Sequence, residues 1–259
     1  MAPLPALTLK VLSLRYSSWS MRPWLVLTHA GVDFETETVS LAHMLDPTKT
    51  PTSLGERREL GSVRGLFPVL QVRRRDEKDG DGDAAAAASA AVHESLAICE
   101  YVADLCPEAR LWPADPLDRA RARAISCEML TGFPHLRGEC SCHLFARVPP
   151  GGFEPAEKTK EDIKRVFEIW TECLELSGGP YLFGEHFGIA DAMYYPVLTR
   201  FRTYGIQLPN DDKLIEAYAR AVETTPAVVK LVEMAKSQPD IPIYDDYILK
   251  LGGDPNKEL

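Results

Sequence analysis

The hydrophobic period of this chain changes once, at Pro107, Pro113 and Pro116. Before those prolines, short alternating runs surround one helical stripe; after them the period is helical throughout. Clustered prolines can continue neither a helix nor a central strand. The pattern therefore predicts an α/β unit over residues 1–108, a linker at about 106–116, and an all-helical unit over 114–259.

In the first unit, Leu7, Leu9 and Val11 alternate and predict a strand over 7–14. Ser17, Ser18, Trp19 and Ser20 follow as a polar loop. Met21, Trp24, Leu25 and Thr28 then recur at helical spacing, with Gly31 placed to end the helix. Residues 34–41, FETETVSL, alternate again, so a βαβ unit closes here. Phe67-Pro68-Val69-Leu70-Gln71-Val72 reads as a strand opened by a proline, the position where a strand tolerates one. Residues 73–91 are charged, then Gly-Asp-rich, then alanine-rich, which predicts an inserted mobile loop, with a short alanine helix as the alternative. Ser95 reads as the N-cap of a helix over 96–105. Beyond the linker, helices are predicted over about 117–145, along the stripe Ile163, Val166, Phe167, Trp170 and Leu174, over 189–204, and in two shorter pieces to about Lys236.

Charge and composition exclude several classes of partner. In 259 residues, 29 Lys and Arg face 38 Asp and Glu, a net charge of −9. A general nucleic-acid binder needs a basic stripe to displace counterions, so no nucleic-acid partner is expected. No apolar run approaches the roughly 20 residues that cross a bilayer, so no membrane partner is expected either. The first residues lack a basic leader and carry Lys10 inside their apolar stretch, which reads as a strand rather than a secretion signal and makes the cytoplasm the expected location. The six cysteines are scattered and read as reduced thiols. Cys140-Ser141-Cys142-His143 lacks a second ligand pair at zinc spacing, so no metal is expected.

Four segments, in order, carry a family resemblance. SSWSMRPWLVL at 17–27 resembles the Ser-Ser-Cys-x-x-Arg signature of serine-type, zeta-like glutathione transferases. LFPVLQV at 66–72 resembles the family's Val-Pro-x-Leu segment, HESLAICEYV at 93–102 its Glu-Ser-x-x-Ile segment, and FGIADAMYYPVLTRF at 187–201 its helix-capping segment in the second domain. The chain is thus identified as similar to the cytosolic glutathione S-transferase superfamily. That resemblance implies a thioredoxin-like N-terminal domain followed by an all-α helical C-terminal domain, glutathione as co-substrate, a detoxifying transferase activity and a homodimer.

The resemblance also implies roles. Ser17 would donate its hydroxyl to the glutathione thiolate, with Ser18 the near rival. Lowering a thiol pKa of about 8.5 by about 2 units requires about 2.7 kcal/mol of differential stabilisation, within reach of a hydroxyl donor and a helix N-terminus. Phe67 and a cis Pro68 would present backbone to the cysteinyl residue; Glu94 would pair with the γ-glutamyl ammonium, and Ser95 with its carboxylate. Arg64 is a weaker candidate for the glycyl end. For a small apolar electrophile, Trp19, Phe133, His135, Arg137 and Tyr194 are the candidate pocket residues. Asp191 is expected to be a structural cap, with Gly188 where the family carries Ser or Thr. Trp19 stands where zeta-like members carry Cys, which sets this chain apart from their isomerase chemistry. The alternatives to conjugation are a glutathione-dependent isomerase, a reductive dehalogenase and a non-catalytic binding protein.

Overall fold

The computed structural model describes residues 5–46, 48–73, 89–209 and 213–257. The first unit runs β1 (Ala6–Val11), α1 (Ser18–His29), β2 (Glu35–Thr38), α2 (Ala42–Leu45), α3 (Leu54–Glu59), β3 (Val69–Arg73), β4 (Ser89–His93) and α4 (Ser95–Leu105). Its sheet has the order β2-β1-β3-β4, with β1 and β2 parallel and the other pairs antiparallel. This is the thioredoxin-like arrangement. Lys10 lies opposite Val69, and Val69 opposite His93. That register brings the end of β1, the start of β3 and the end of β4 to one edge, so the chain around 12–17, 67–68 and 94–95 gathers there.

Alternation along the strands builds two layers. Leu7, Leu9, Val11, Leu70 and Val72 point to the main core, whereas Val69 joins Phe67, Val39 and Leu41 in a small cluster on the opposite face. Helix α1 is buried on nearly every side, as a helix must be when it is covered by two layers.

After a 3₁₀ turn at Pro107–Ala109 the chain is helical: α5 (Pro116–Thr131), α6 (Pro134–Glu139), α7 (Glu157–Ser177), α8 (Ile189–Tyr204), α9 (Lys213–Thr224), α10 (Pro226–Lys236) and α11 (Pro242–Lys250). α1 packs on α4 in the first unit and on α8 and α10 in the second. One hydrophobic cluster therefore runs from Leu7 to Ile248 through both. Among the described residues no helix is long and apolar enough to cross a membrane.

Three expectations change, and a stretch without an assigned element gains two helices. The helix predicted over 117–145 is two helices, because Gly132 ends α5 and Phe133, ahead of a proline, takes a left-handed φ of 54° before Pro134 opens α6. The stretch before β3 contains α2 and α3, the latter opened by a Ser53–Glu56 capping box. Of the predicted insert, residues 74–88 lie outside the described residues, and Ser89, Ala90 and Ala91 belong to β4. The N-cap of α4 is Glu94, not Ser95, which is the first helical residue.

Gly188 opens α8 for a packing reason. The Leu111 carbonyl of the linker accepts the Ile189 N–H at 3.0 Å, and a Cβ on residue 188 would come within 2.8 Å of that oxygen. Asp191 provides the cap instead, accepting the N–H groups of Gly188 at 2.8 Å and Leu182 at 3.0 Å.

Candidate active site at the first helix

Ser17 is the N-cap of α1 and is half-buried. Its Oγ accepts the Ser20 N–H at 3.3 Å and the Ser20 hydroxyl at 3.0 Å, while Ser20 Oγ accepts the Leu12 N–H at 3.3 Å. A hydroxyl has two acceptor sites and one proton. With both acceptor sites of Ser17 engaged, its O–H is left to donate, at the positive end of a 12-residue helix. The relay from Leu12 through Ser20 polarises that O–H in the donating direction.

Ser18 faces elsewhere. It is buried, and its Oγ accepts from Arg200 Nη2 of α8 at 3.4 Å. One step along a helix turns a side chain by about 100°, and here that step aims Ser18 at the helical unit rather than the way Ser17 faces.

The Phe67–Pro68 bond is cis, at the start of β3. The Phe67 ring is buried, and neither its N–H nor its C=O bonds to another described residue. Glu94 is exposed and sits in a left-handed conformation, φ 80°. Helix α4 has no side-chain cap, so its first amides face outward beside the Glu94 carboxylate. The Ser95 hydroxyl is not free to bind a ligand carboxylate: it is buried and donates to the Trp19 carbonyl at 2.9 Å. Pro23 explains this contact, because it has no N–H to give the carbonyl four residues earlier, which is that of Trp19. Arg64 is exposed.

A cationic wall stands on the helical side. The Trp19 indole, half-buried, has the guanidinium carbon of Arg22 4.4 Å from its centroid and that of Arg137 5.4 Å away. Arg22 is fully buried; its Nε donates to the Met193 carbonyl at 3.0 Å, while Nη1 and Nη2 have no partner among the described residues. Burial, and then repulsion from Arg200, pushes the Arg22 guanidinium down to about 9. Arg137 is lowered for the same two reasons in the same order. Arg200 is buried and held by the carbonyls of Cys140 at 2.8 Å and Pro196 at 2.9 Å. Asp162 is the acid nearest to Arg137 in effect, and its carboxylate already caps α6 through the His135 and Leu136 N–H groups.

The expected pocket changes accordingly. Phe133 and Tyr194 do not line it: both are buried, and Tyr194 donates its phenol to the Ile125 carbonyl at 3.2 Å and packs on Trp170 and Phe133. Aromatic residues at helical spacing became core here. His135 is exposed at the start of α6. Trp19 and Arg137 remain at the surface, and a wall built from them suits an acceptor with negative charge better than an apolar one. The sequence reading missed Arg200, whose signal was an arginine inside the apolar run 189–201. Cys140 and Cys142 are buried, and His143 is engaged by Asp245 at 2.7 Å. Among the described residues no group of three or more His, Cys, Asp or Glu side chains is gathered to hold a metal.

Comparison with known proteins agrees with this layout. The family described as "Glutathione S-transferase, N-terminal domain" matches residues 16–105, and "Glutathione S-transferase, C-terminal domain" matches 154–223. The chain is 24% identical to the glutathione S-transferase omega-2 of Mus musculus over 230 residues, 88% of this chain and 80% of the relative. It is 30% identical to a probable maleylacetoacetate isomerase of Caenorhabditis elegans over 118 residues, 45% of this chain and 54% of that protein. A glutathione transferase homologue from Burkholderia, solved with bound glutathione, superposes with a TM-score of 0.61 over 90% of this chain and 100% of its own, at 21% identity, a likeness of fold.

Proposed function

The chain belongs to the glutathione S-transferase superfamily, both of whose domains it matches in order, and from that premise we propose that it is an enzyme that activates glutathione through Ser17. The thiol of bound glutathione loses its proton to solvent, and the Ser17 hydroxyl together with the α1 amides stabilises the sulfur anion. Phe67 offers free backbone N–H and C=O to the cysteinyl residue, the Glu94 carboxylate pairs with the γ-glutamyl ammonium, and the open first turn of α4 receives its carboxylate. The observation that carries the reading is the hydrogen-bond relay that leaves Ser17 one unassigned valence, a proton at a helix N-terminus.

The acceptor stands against Trp19 and Arg137, so an electrophile bearing a carboxylate is the favoured class. The sulfur attacks its electrophilic carbon and a C–S bond forms; the leaving group departs with its bonding pair, or, in an addition, the carbanion takes a proton from solvent. Proximity and ionisation of the thiol are the protein's contributions.

Ser17→Ala tests this. Titrating thiolate absorbance in the glutathione complex, wild type gives a bound thiol about 2 units below the free value of about 8.5, and the variant returns it towards that value while glutathione still binds. A bound thiol that titrates identically in both proteins defeats the reading. Binding without turnover of chloronitrobenzoate or chlorodinitrobenzene would instead favour a binding protein or an isomerase.

A further inference from the structure

The four residues before Ser17 are held from the far end of the chain. Gln238 Oε1 accepts the Leu14 N–H at 2.6 Å and the Ser13 hydroxyl at 3.0 Å. Arg15 pairs with Asp240 at 2.6 Å and donates to the Pro255 carbonyl at 3.2 Å and to the Asn256 side chain. The Tyr16 hydroxyl donates to Asp245 Oδ1 at 2.9 Å, and its ring stacks on Tyr244, with centroids 5.3 Å apart. His143 Nδ1 accepts the Ala146 N–H at 3.2 Å, so its proton sits on Nε2, which donates to the same Asp245 Oδ1 at 2.7 Å. The His143 ring also meets the edge of Tyr16 at 4.6 Å.

We propose that Asp245 is a positioning residue for Ser17: by accepting from Tyr16 and His143 on one oxygen, it fixes the loop between β1 and α1 in the setting that aims the Ser17 hydroxyl at the thiolate. This rests on the reading of Ser17 given above. Tyr16 is peptide-bonded to Ser17, so a displaced Tyr16 moves the donor with it. Donor geometry in such sites matters on the scale of about 0.5 Å. Core packing alone would not require a carboxylate in contact with two donors from separate segments, with its side chain only 13% exposed.

The test uses the full chain saturated with glutathione and reads the bound thiol by thiolate absorbance, alongside thermal melting. Tyr16→Phe and Asp245→Ala are expected to raise the bound thiol pKa by about one unit, with glutathione affinity measured at about pH 6, where the thiol form binds, unchanged within about twofold. Asp245→Asn keeps an oxygen for both donors and is expected to restore a value near wild type. Tyr16→Phe removes one hydroxyl and keeps the ring, and it decides the matter if Asp245→Ala does not fold. If Ser17→Ala raises the thiol pKa while folded Tyr16→Phe and Asp245→Ala leave it at the wild-type value, the positioning role is wrong and the Ser17 reading stands. If Ser17→Ala itself changes nothing, both fall.

Discussion

At the scale of single residues, the proposed chemistry is divided between a short donor and three long cations. In the proposed reading Arg22 and Arg200, being buried, act on a bound acceptor through their field, and Arg137, half-exposed beside Trp19, is the one that touches it. Arg137→Met keeps the stem and removes the charge. It is expected to lower kcat/KM for a carboxylate-bearing acceptor about tenfold relative to a neutral analogue, equivalent to about 1.4 kcal/mol. Paired rates on chloronitrobenzoate and chlorodinitrobenzene read this directly, and equal losses on both would refute a charge-selective role. The residues proposed to hold glutathione each lie in a contiguous motif, Ser17, Phe67-Pro68 and Glu94, so the sequence could nominate them. The cationic wall was not, because Arg22, Arg137 and Arg200 come from three separated segments and meet only after folding.

At the scale of elements, α1 and α4 are joined by a contact that a proline makes necessary. The Trp19 carbonyl, deprived of a helical partner by Pro23, takes the Ser95 hydroxyl. Ser95→Ala is expected to destabilise the protein by about 1 kcal/mol, since it leaves a part-buried carbonyl without its protein partner. Pro23→Ala restores an N–H in the right place, so the double variant should recover much of that loss in urea denaturation. Strict additivity of the two changes would show the contact to be incidental. Helix α7 was readable from its one-sided stripe, and α8, buried nearly all round, from its long apolar run. Helix α11 was missed because Ile248 is its one fully buried side chain, too little to print a stripe. The break between α5 and α6 was missed although Gly132 and Pro134 mark it, because the apolar period continues across them. Ser53 and Glu56 were likewise a legible helix start, passed over in a stretch rich in Thr, Ser and Pro.

At the scale of the whole molecule, the last segment links pH to stability. Burial first of all lowers the His143 pKa, with Arg15 adding to this and Asp245 and Asp240 opposing it. Because the folded imidazole resists a proton that the unfolded chain accepts, stability is present above the unfolded value of about 6.5 and is lost as pH falls below it. A proton on Nδ1 would also abolish the bond from the Ala146 N–H. Melting temperature should therefore drop between pH 7 and pH 5, and His143→Gln should flatten that part of the profile; an unchanged slope would exclude the residue as its source. Domain order was legible because the period switches at the prolines; what the period does not show is that the main cluster runs through both units, with only a small second one behind the sheet.

That shared helix has a consequence for recombination. Met21 meets Cys142, Arg22 meets the Met193 carbonyl and Ser18 meets Arg200, so one side of α1 belongs to the second half of the molecule. A foreign first half grafted at the linker would have to bring those three side chains with it, or leave the recipient's arginine and sulfur contacts facing a stranger's surface. The halves are contiguous in sequence, but they are not interchangeable parts.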